Sequence, residues 1–298
     1  MNQTVIDFYI KRHEAFLVQI LNHTPIQASA IRSAINYALF PGGKRIRPIL
    51  VYLAGELFHI DMNILDGIAA SIELTHCYSL VHDDLPAMDN DDFRRGKPSC
   101  HKKYGEATAI LVGDGMQALA IELVLNHLSP LLPASNIIKI TQKLVEASGV
   151  SGMVSGQSLD LSELSKTTLM ESELQKIHLL KTGKLISACF SMVLAAKDSI
   201  DSDTHAALTN YAHHLGLVFQ IQDDYLDYYA SDNRLGKNRS SDLANEKTTF
   251  ATLLSKRQLE EKINYHFTQA LDCLKLFGAS AQTLIKLTKR LHQRSQLT

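Results

Sequence analysis

The stretch from Leu80 to Lys97 sets five aspartates, Asp83, Asp84, Asp89, Asp91 and Asp92, beside two arginines, Arg94 and Arg95. A second acidic run, Asp223, Asp224, Tyr225, Leu226 and Asp227, stands roughly 140 residues further on. Carboxylates gathered in this way repel one another unless a cation sits between them, and donors that are all oxygen favour magnesium or calcium over zinc. Basic residues fall into four groups: Lys44 to Arg47 next to Gly42 and Gly43, Arg94 with Arg95, Lys181, and Lys237 to Lys247. Singly, each has a bland reading as a solvated turn or a basic helix start. Jointly, aspartates for a divalent metal and a collar of lysine and arginine suit a diphosphate ester. The metal neutralises the leaving group, and arginine forks and lysine charges hold its oxygens.

These residues need elements to carry them, and the spacing of apolar residues predicts helices throughout. Val5 to Leu21 has helical spacing, and Thr24, Pro25 and Gln27 resemble a capping box that opens a second helix reaching about Phe40. Pro41, Gly42 and Gly43 break it before the apolar run Ile49 to Leu57. From Ile64 to Asp84, Leu65, Ile72, His76, Ser79 and Asp83 share one face, so Asp83 extends an inward stripe, and Pro86 stops the helix. Further helices cover Glu106 to Leu128, Asn136 to Val150, and Met170 to Lys197, the last interrupted at Lys181, Thr182 and Gly183. In Thr204 to Ala230, Leu208, Tyr211, Ala212, Leu215 and Phe219 form a stripe that Asp223 continues, with Gln220 and Asp227 beside it. Asp223 and Asp227 are four apart, and like charges at that spacing weaken a bare helix unless a cation lies between them. Two amphipathic helices, about Leu253 to Phe277 and Ala281 to His292, close the chain. An all-α single domain over residues 1–298 follows, a helical bundle with a central apolar cavity under the basic collar. The substrate so implied has a diphosphate head and a hydrocarbon tail.

Bulk properties narrow the partners. A net charge of −1 gives no reason to expect nucleic acid or an anionic membrane surface. Cys77, Cys100, Cys189 and Cys273 form no CxxC pair and no zinc spacing, so they read as reduced thiols of a cytoplasmic protein. The segment MNQTVIDFYIKRHE carries charge too early for a signal peptide, and the apolar stretch Leu185 to Ala196 is short for a bilayer, so no membrane insertion is expected.

The runs GGKRIRP, HCYSLVHDDLPAMDNDDFRRGKPSCH, KTG and FQIQDDYLDYYASDNRLGK, in that order, resemble the trans-prenyl diphosphate synthases, above all the bacterial farnesyl diphosphate synthases. The resemblance implies the isoprenoid synthase fold, a homodimer, and head-to-tail condensation of isopentenyl diphosphate with the allylic substrates dimethylallyl and geranyl diphosphate. It implies that Asp83, Asp89 and Asp223 ligate three magnesium ions on the allylic diphosphate, with Asp84 and Asp227 in support. Arg94, Lys181 and Lys237 would hold that diphosphate. Lys44, Arg47, His76 and Arg95 would bind isopentenyl diphosphate, while Thr182 and Gln220 match positions facing the reacting allylic carbon. The allylic diphosphate would ionise, the isopentenyl double bond would attack carbon one, and released diphosphate would take the proton.

Tyr78, five residues before Asp83, matches the position that forms the floor of the tail pocket, and Pro86 and Ala87 match the two-residue insertion of the bacterial short-chain type. Both imply a fifteen-carbon product. The sequence departs from the family at Ser240, which stands where a glycine is usual, and at Ala251, where a proline follows the KxT triplet that begins at Lys247. It also closes RSQLT, without a basic tip. Three rival functions fit less well. A His-Asp phosphohydrolase would need His82 and further histidines around a transition metal, and the second cluster has none. A terpene cyclase would mix Asn, Ser and Glu in its second metal site, and a non-catalytic partner subunit would have lost acidic positions.

Overall fold

The computed structural model describes residues 2–163, 169–229 and 248–294. As expected for an all-α protein, the described elements are helical apart from one short hairpin. They gather into two compact units, residues 1–141 and 142–298.

The first unit holds α1 (Asn2–His23), α2 (Ser29–Leu39), α3 (Ile46–Leu57), α4 (Met62–Asp83), β1 (Phe93–Arg94), β2 (Lys97–Pro98), α5 (Cys100–Tyr104) and α6 (Glu106–Leu128). Helix α4 is apolar around most of its circumference, which suits a central position, and it packs against α3 and α6. Its start is fixed by Asp61, whose side chain accepts the Asn63 N–H. Carboxylates buried on its flank have partners: Asp66 accepts from Arg12 Nε at 2.8 Å and from the Tyr52 hydroxyl at 2.7 Å.

Helix α2 starts at Ser29, later than the capping-box reading of Thr24 to Gln27 places it. The Thr24 hydroxyl is engaged elsewhere, donating to the Ile20 carbonyl and closing α1, while Arg32 donates to the carbonyls of Leu21, Thr24 and Ile26. The hairpin has no counterpart in the sequence reading, because two-residue strands leave no alternation to detect. Its turn puts Arg95 and Gly96 at φ of 54° and 75°, the positive pair that a tight hairpin of this twist requires.

Helix α7 (Ala134–Ser148) crosses the boundary between the units. The second unit continues with α8 (Met153–Glu163), α9 (Glu171–His178), a π-helical turn (Leu179–Gly183), α10 (Lys184–Ala195), α11 (Ser202–Tyr229), α12 (Phe250–Leu253), α13 (Lys256–Cys273) and α14 (Gln282–Gln293). Helix α11 is its axis and packs on α10 and α13. Buried polar groups on α11 reach the end of the chain: the hydroxyls of Tyr211 and Thr288 lie 2.8 Å apart, and Gln222 Nε2 donates to the Leu291 carbonyl. The π-helical turn sits where Lys181, Thr182 and Gly183 interrupt the periodic pattern, and such bulges gather at functional sites.

By length and composition, two stretches, Glu106–Leu128 and Glu171–Ala195, could cross a membrane. The second extends beyond the Leu185 to Ala196 run, and its α10 portion buries Leu185, Ile186, Phe190, Met192 and Val193 in the core of its unit. All four cysteines are free thiols.

One buried group makes the first unit sensitive to acid. His13 is fully buried with no hydrogen bond to either ring nitrogen, and burial lowers its pKa from 6.5 to about 4. With the folded value below the unfolded one, the unfolded chain binds the proton more readily. The stability that neutral His13 supplies is therefore complete above pH 6.5 and lost as pH falls towards 4. A His13→Phe variant should show a smaller drop in urea midpoint between pH 7 and pH 4.5 than the parent chain.

Candidate active site

The first acidic motif begins where α4 ends. Asp84 is the helix C-cap, and the loop beyond is closed by main-chain bonds, the Asp89 N–H donating to the Asp83 carbonyl at 2.8 Å. That bond folds the loop back and brings Asp89 beside Asp83. Asp83 and Asp89 are both partly exposed, whereas Asp84 is buried at 2%. The inward stripe thus ends one residue later than the periodicity places it: Asp84, not Asp83, turns into the protein. The helix stops at Asp83, and the following residue follows the chain's turn inwards to meet Arg94. Arg94 forks onto Asp84, with Nε at 2.9 Å from Oδ1, and its Nη2 also reaches Asp91 at 3.1 Å. Burial pushes the Asp84 carboxyl up despite these bonds. Asp91 therefore steadies Arg94, while Asp92 pairs on the surface with Lys102.

The basic groups of this unit meet on the neighbouring side. Arg47 Nη1 donates to His76 Nε2 across 3.4 Å. Burial, followed by the Arg47 charge, holds the His76 pKa well below its ordinary value, so the ring is a neutral acceptor. Arg95 lies close against Gly43, next to the exposed Lys44. The Arg95 charge also acts on His76, so Arg47, His76 and Arg95 lie together with Lys44 on the adjoining Gly43 loop, while Arg94 forks onto Asp84. Under the loop that bears Lys44 lies Arg45, in the left-handed conformation at φ 52°. Its guanidinium is buried, ion-paired with Glu73, and donates to the Leu39 carbonyl at 2.7 Å. It fills the space where a Cβ on Gly42 would stand, so the loop wraps around its own arginine and only glycine fits there.

Tyr78 is buried on α4 and faces α6, where Gln117 Nε2 donates to its hydroxyl at 3.5 Å; burial raises its pKa to about 12. His82 is occupied structurally, 3.0 Å from the Ile110 carbonyl, which leaves a histidine-based metal site little to draw on.

In the second unit the pattern repeats. Asp223 is half exposed and Asp227 partly so, while Asp224 between them is buried at 6%. Phe219, expected on the inward stripe, is also only partly buried. The Lys181 ammonium lies 3.0 Å from the buried Asp160 carboxylate. Helix α8 can come this close to the π-helical turn because Gly156 has no Cβ, which would overlap the Lys181 main chain. Across the turn, the Thr182 hydroxyl donates to Gln220 Oε1 at 3.3 Å. Arg294 Nη2 is 3.4 Å from Asp223 Oδ1.

Lys237, Lys247 and Ser240 lie outside the described residues. The sequence pattern assigns no site role to Glu73, Asp160 or Arg294, places Arg45 only among the Lys44 to Arg47 cations and Asp224 only within the DDYLD run, and signals Arg294 only by its charge in the closing RSQLT. Among the described residues no group of three or more His, Cys, Asp or Glu is gathered tightly enough to hold a metal ion by side chains alone.

A farnesyl diphosphate synthase of Escherichia coli is 40% identical over 255 residues, covering 85% of this chain and 84% of that protein. The crystal structure of a geranyltransferase from Legionella pneumophila superposes with a TM-score of 0.93 at 63% identity, over 100% of this chain and 98% of the other. A geranyltransferase from Helicobacter pylori, solved in complex with magnesium and isoprenyl diphosphate, matches at a TM-score of 0.81 and 30% identity over 98% of this chain and 97% of that one. The family model described as polyprenyl synthetase matches residues 28–276, and with both acidic motifs, the GGKRIRP loop and the Lys181–Thr182 turn inside that span, the chain belongs to the polyprenyl synthetase family.

Proposed function

We propose that this prenyltransferase, acting as one prenyl diphosphate synthase domain, condenses isopentenyl diphosphate with dimethylallyl and then geranyl diphosphate to give farnesyl diphosphate. One observation carries the reading. In both motifs the second aspartate of the pair, Asp84 or Asp224, is buried against protein partners, while the first, Asp83 or Asp223, stays accessible. That arrangement leaves one or two open carboxylates per motif. Magnesium is commonly held so, by a few carboxylates and by substrate phosphate oxygens, because it keeps octahedral geometry and sheds water reluctantly. Asp83, Asp89 and Asp223 would hold three magnesium ions, with Asp227 in support and Asp84 supporting from behind through its fork to Arg94. When bound, the ions neutralise the charge of the departing diphosphate.

The chain's own residues do the rest. Lys181 and Lys237 hold the allylic diphosphate as point charges, Arg94 adds the charge of a guanidinium whose fork is anchored on Asp84, and Lys247 adds to the basic collar. The exposed Lys44, with Arg47 and Arg95, binds the diphosphate of isopentenyl diphosphate, and the neutral His76 accepts from Arg47 to set its fork. Thr182 and Gln220 turn oxygen atoms towards the allylic carbon, where positive charge develops. The double bond of isopentenyl diphosphate attacks that carbon, and the proton leaves to the released diphosphate. The enzyme works as a cytoplasmic homodimer.

Binding can be separated from turnover. An allylic thiodiphosphate that ionises slowly should bind the wild-type chain in calorimetry only when magnesium is present, and Asp83→Ala should abolish the heat. Equal binding with and without magnesium would overturn the proposed role of the aspartates. Tyr78 closes the tail pocket in this reading, so Tyr78→Ala should move the main product from fifteen carbons to twenty or more, resolved by chromatography of the dephosphorylated alcohols. An unchanged product would remove Tyr78 from that role.

A further inference from the structure

Asp224 belongs to the second acidic run, yet it is turned away from the positions that would meet metal. Its side chain is 5% exposed, and each oxygen has a protein donor. Oδ1 accepts from Gln220 Nε2 at 3.0 Å, and Oδ2 accepts the Phe250 main-chain N–H at 2.9 Å. Both Asp224 oxygens are occupied as acceptors, so the Gln220 amide is held with NH2 towards Asp224 and Oε1 towards Thr182. The Thr182 hydroxyl then spends its proton on Gln220 Oε1. Both Thr182 and Gln220 are left presenting lone pairs. The order Phe250 N–H, Asp224, Gln220, Thr182 is a polarity chain whose direction is set by the one member that cannot donate.

We propose that Asp224 is a positioning residue that fixes the Gln220 amide with its oxygen, and through it the Thr182 oxygen, towards the carbon that becomes positive. This rests on the function proposed above. The site's helical frame supports it: Gln220 and Asp224 are one turn apart on α11, and Thr182 is carried by the π-helical turn that packs on α11. Next to the chain, buried His178 stacks on the Phe250 ring at 5.4 Å and brings its Nε2 to 3.9 Å from Asp224 Oδ2, which is beyond hydrogen-bond reach, so the Gln220 and Phe250 donors keep the carboxylate.

The decisive variant is Asp224→Asn, which keeps size and shape but adds a donor. The Phe250 N–H still needs an acceptor, so the new carbonyl takes the Oδ2 place and the new NH2 faces Gln220. The Gln220 amide must then turn over and present NH2 to Thr182, reversing the dipole where cationic charge develops. The expected result is a fall in kcat of about a hundredfold, KM for both substrates within about threefold, and a urea midpoint close to that of the parent chain. In a Gln220→Met background the same Asp224→Asn change should have no further effect on kcat, because there is no amide left to orient. A kcat unchanged in Asp224→Asn, or losses that simply multiply in the double variant, would overturn the proposal. The Gln220 side-chain NH2 signal in NMR gives a readout independent of activity. It should exchange slowly in the wild-type chain and lose that protection in Asp224→Asn. Unprotected exchange in the wild type would equally overturn the positioning role. Should the wild type fail to condense any prenyl substrate, the functional reading falls, and the NH2 exchange alone decides the role of Asp224.

Discussion

Asp83→Ala and Asp223→Ala are each expected to lower kcat for condensation by about a thousandfold or more, the scale on which removal of a major electrostatic stabiliser acts. Both side chains are accessible, Asp83 as the last residue of α4 and Asp223 in the closing turns of α11, away from the buried residues that pack each helix. Folding should therefore survive, and the loss should appear in the chemical step. Asp92→Ala is the matched control, since its carboxylate is on the surface and paired with Lys102; activity should stay within about twofold because such pairs contribute little. Steady-state kinetics at saturating magnesium separate the three variants. A thousandfold loss from Asp92→Ala, or full activity in Asp83→Ala, would contradict a metal-binding role for Asp83 and a merely surface role for Asp92.

The largest effect on stability is expected at the Arg45–Glu73 pair. Both side chains are sealed from solvent, and Glu73→Ala leaves a guanidinium that also carries the Leu39 carbonyl and lies against Gly42 with only the part-exposed Glu14, 3.5 Å from its Nε, as a carboxylate partner. Removing one partner of a buried ion pair costs about 3–5 kcal/mol, most of it the exposure of the other to a medium that cannot solvate it. Urea denaturation of Glu73→Ala should show a correspondingly lower midpoint. The functional consequence is selective. Because the Gly42–Lys44 loop is wrapped on Arg45, Arg45→Met should raise KM for isopentenyl diphosphate by about tenfold or more while leaving KM for the allylic substrate near its parent value, since the acidic loop is held separately by Arg94. Equal changes in both KM values would mean that the loop is not an isopentenyl-binding element.

How much of this could be read from the chain is best seen residue by residue. The long helices were legible because apolar spacing over twenty residues leaves little ambiguity, and Glu106–Leu128 has the bounds that the pattern gives. The break at Lys181–Gly183 was legible as a break, but a π-helical turn cannot be distinguished from a kink without coordinates. Which aspartate of each pair turns inwards was not legible. Helical periodicity assigns Asp83 to the buried face, but the helix ends there, and the partner that draws Asp84 inwards arrives from the hairpin ten residues later. The same holds for Asp224, whose partner Phe250 lies beyond any local pattern. Arg45 is a further case: within GGKRIRP it resembles one more surface cation, and only the buried Glu73 on α4 reveals it as a structural one. Periodicity reports faces, whereas pairing across sequence distance decides which polar groups on those faces are spent on the fold and which remain for substrate.

The accessible aspartates of both motifs suit this chain to making farnesyl diphosphate. Incubation of the full chain with magnesium, dimethylallyl diphosphate and labelled isopentenyl diphosphate, followed by separation of products by chain length, tests it most directly. A fifteen-carbon diphosphate as main product, dependent on magnesium and on both Asp83 and Asp223, is the predicted result; no condensation, or condensation that persists in Asp83→Ala and Asp223→Ala, would contradict it.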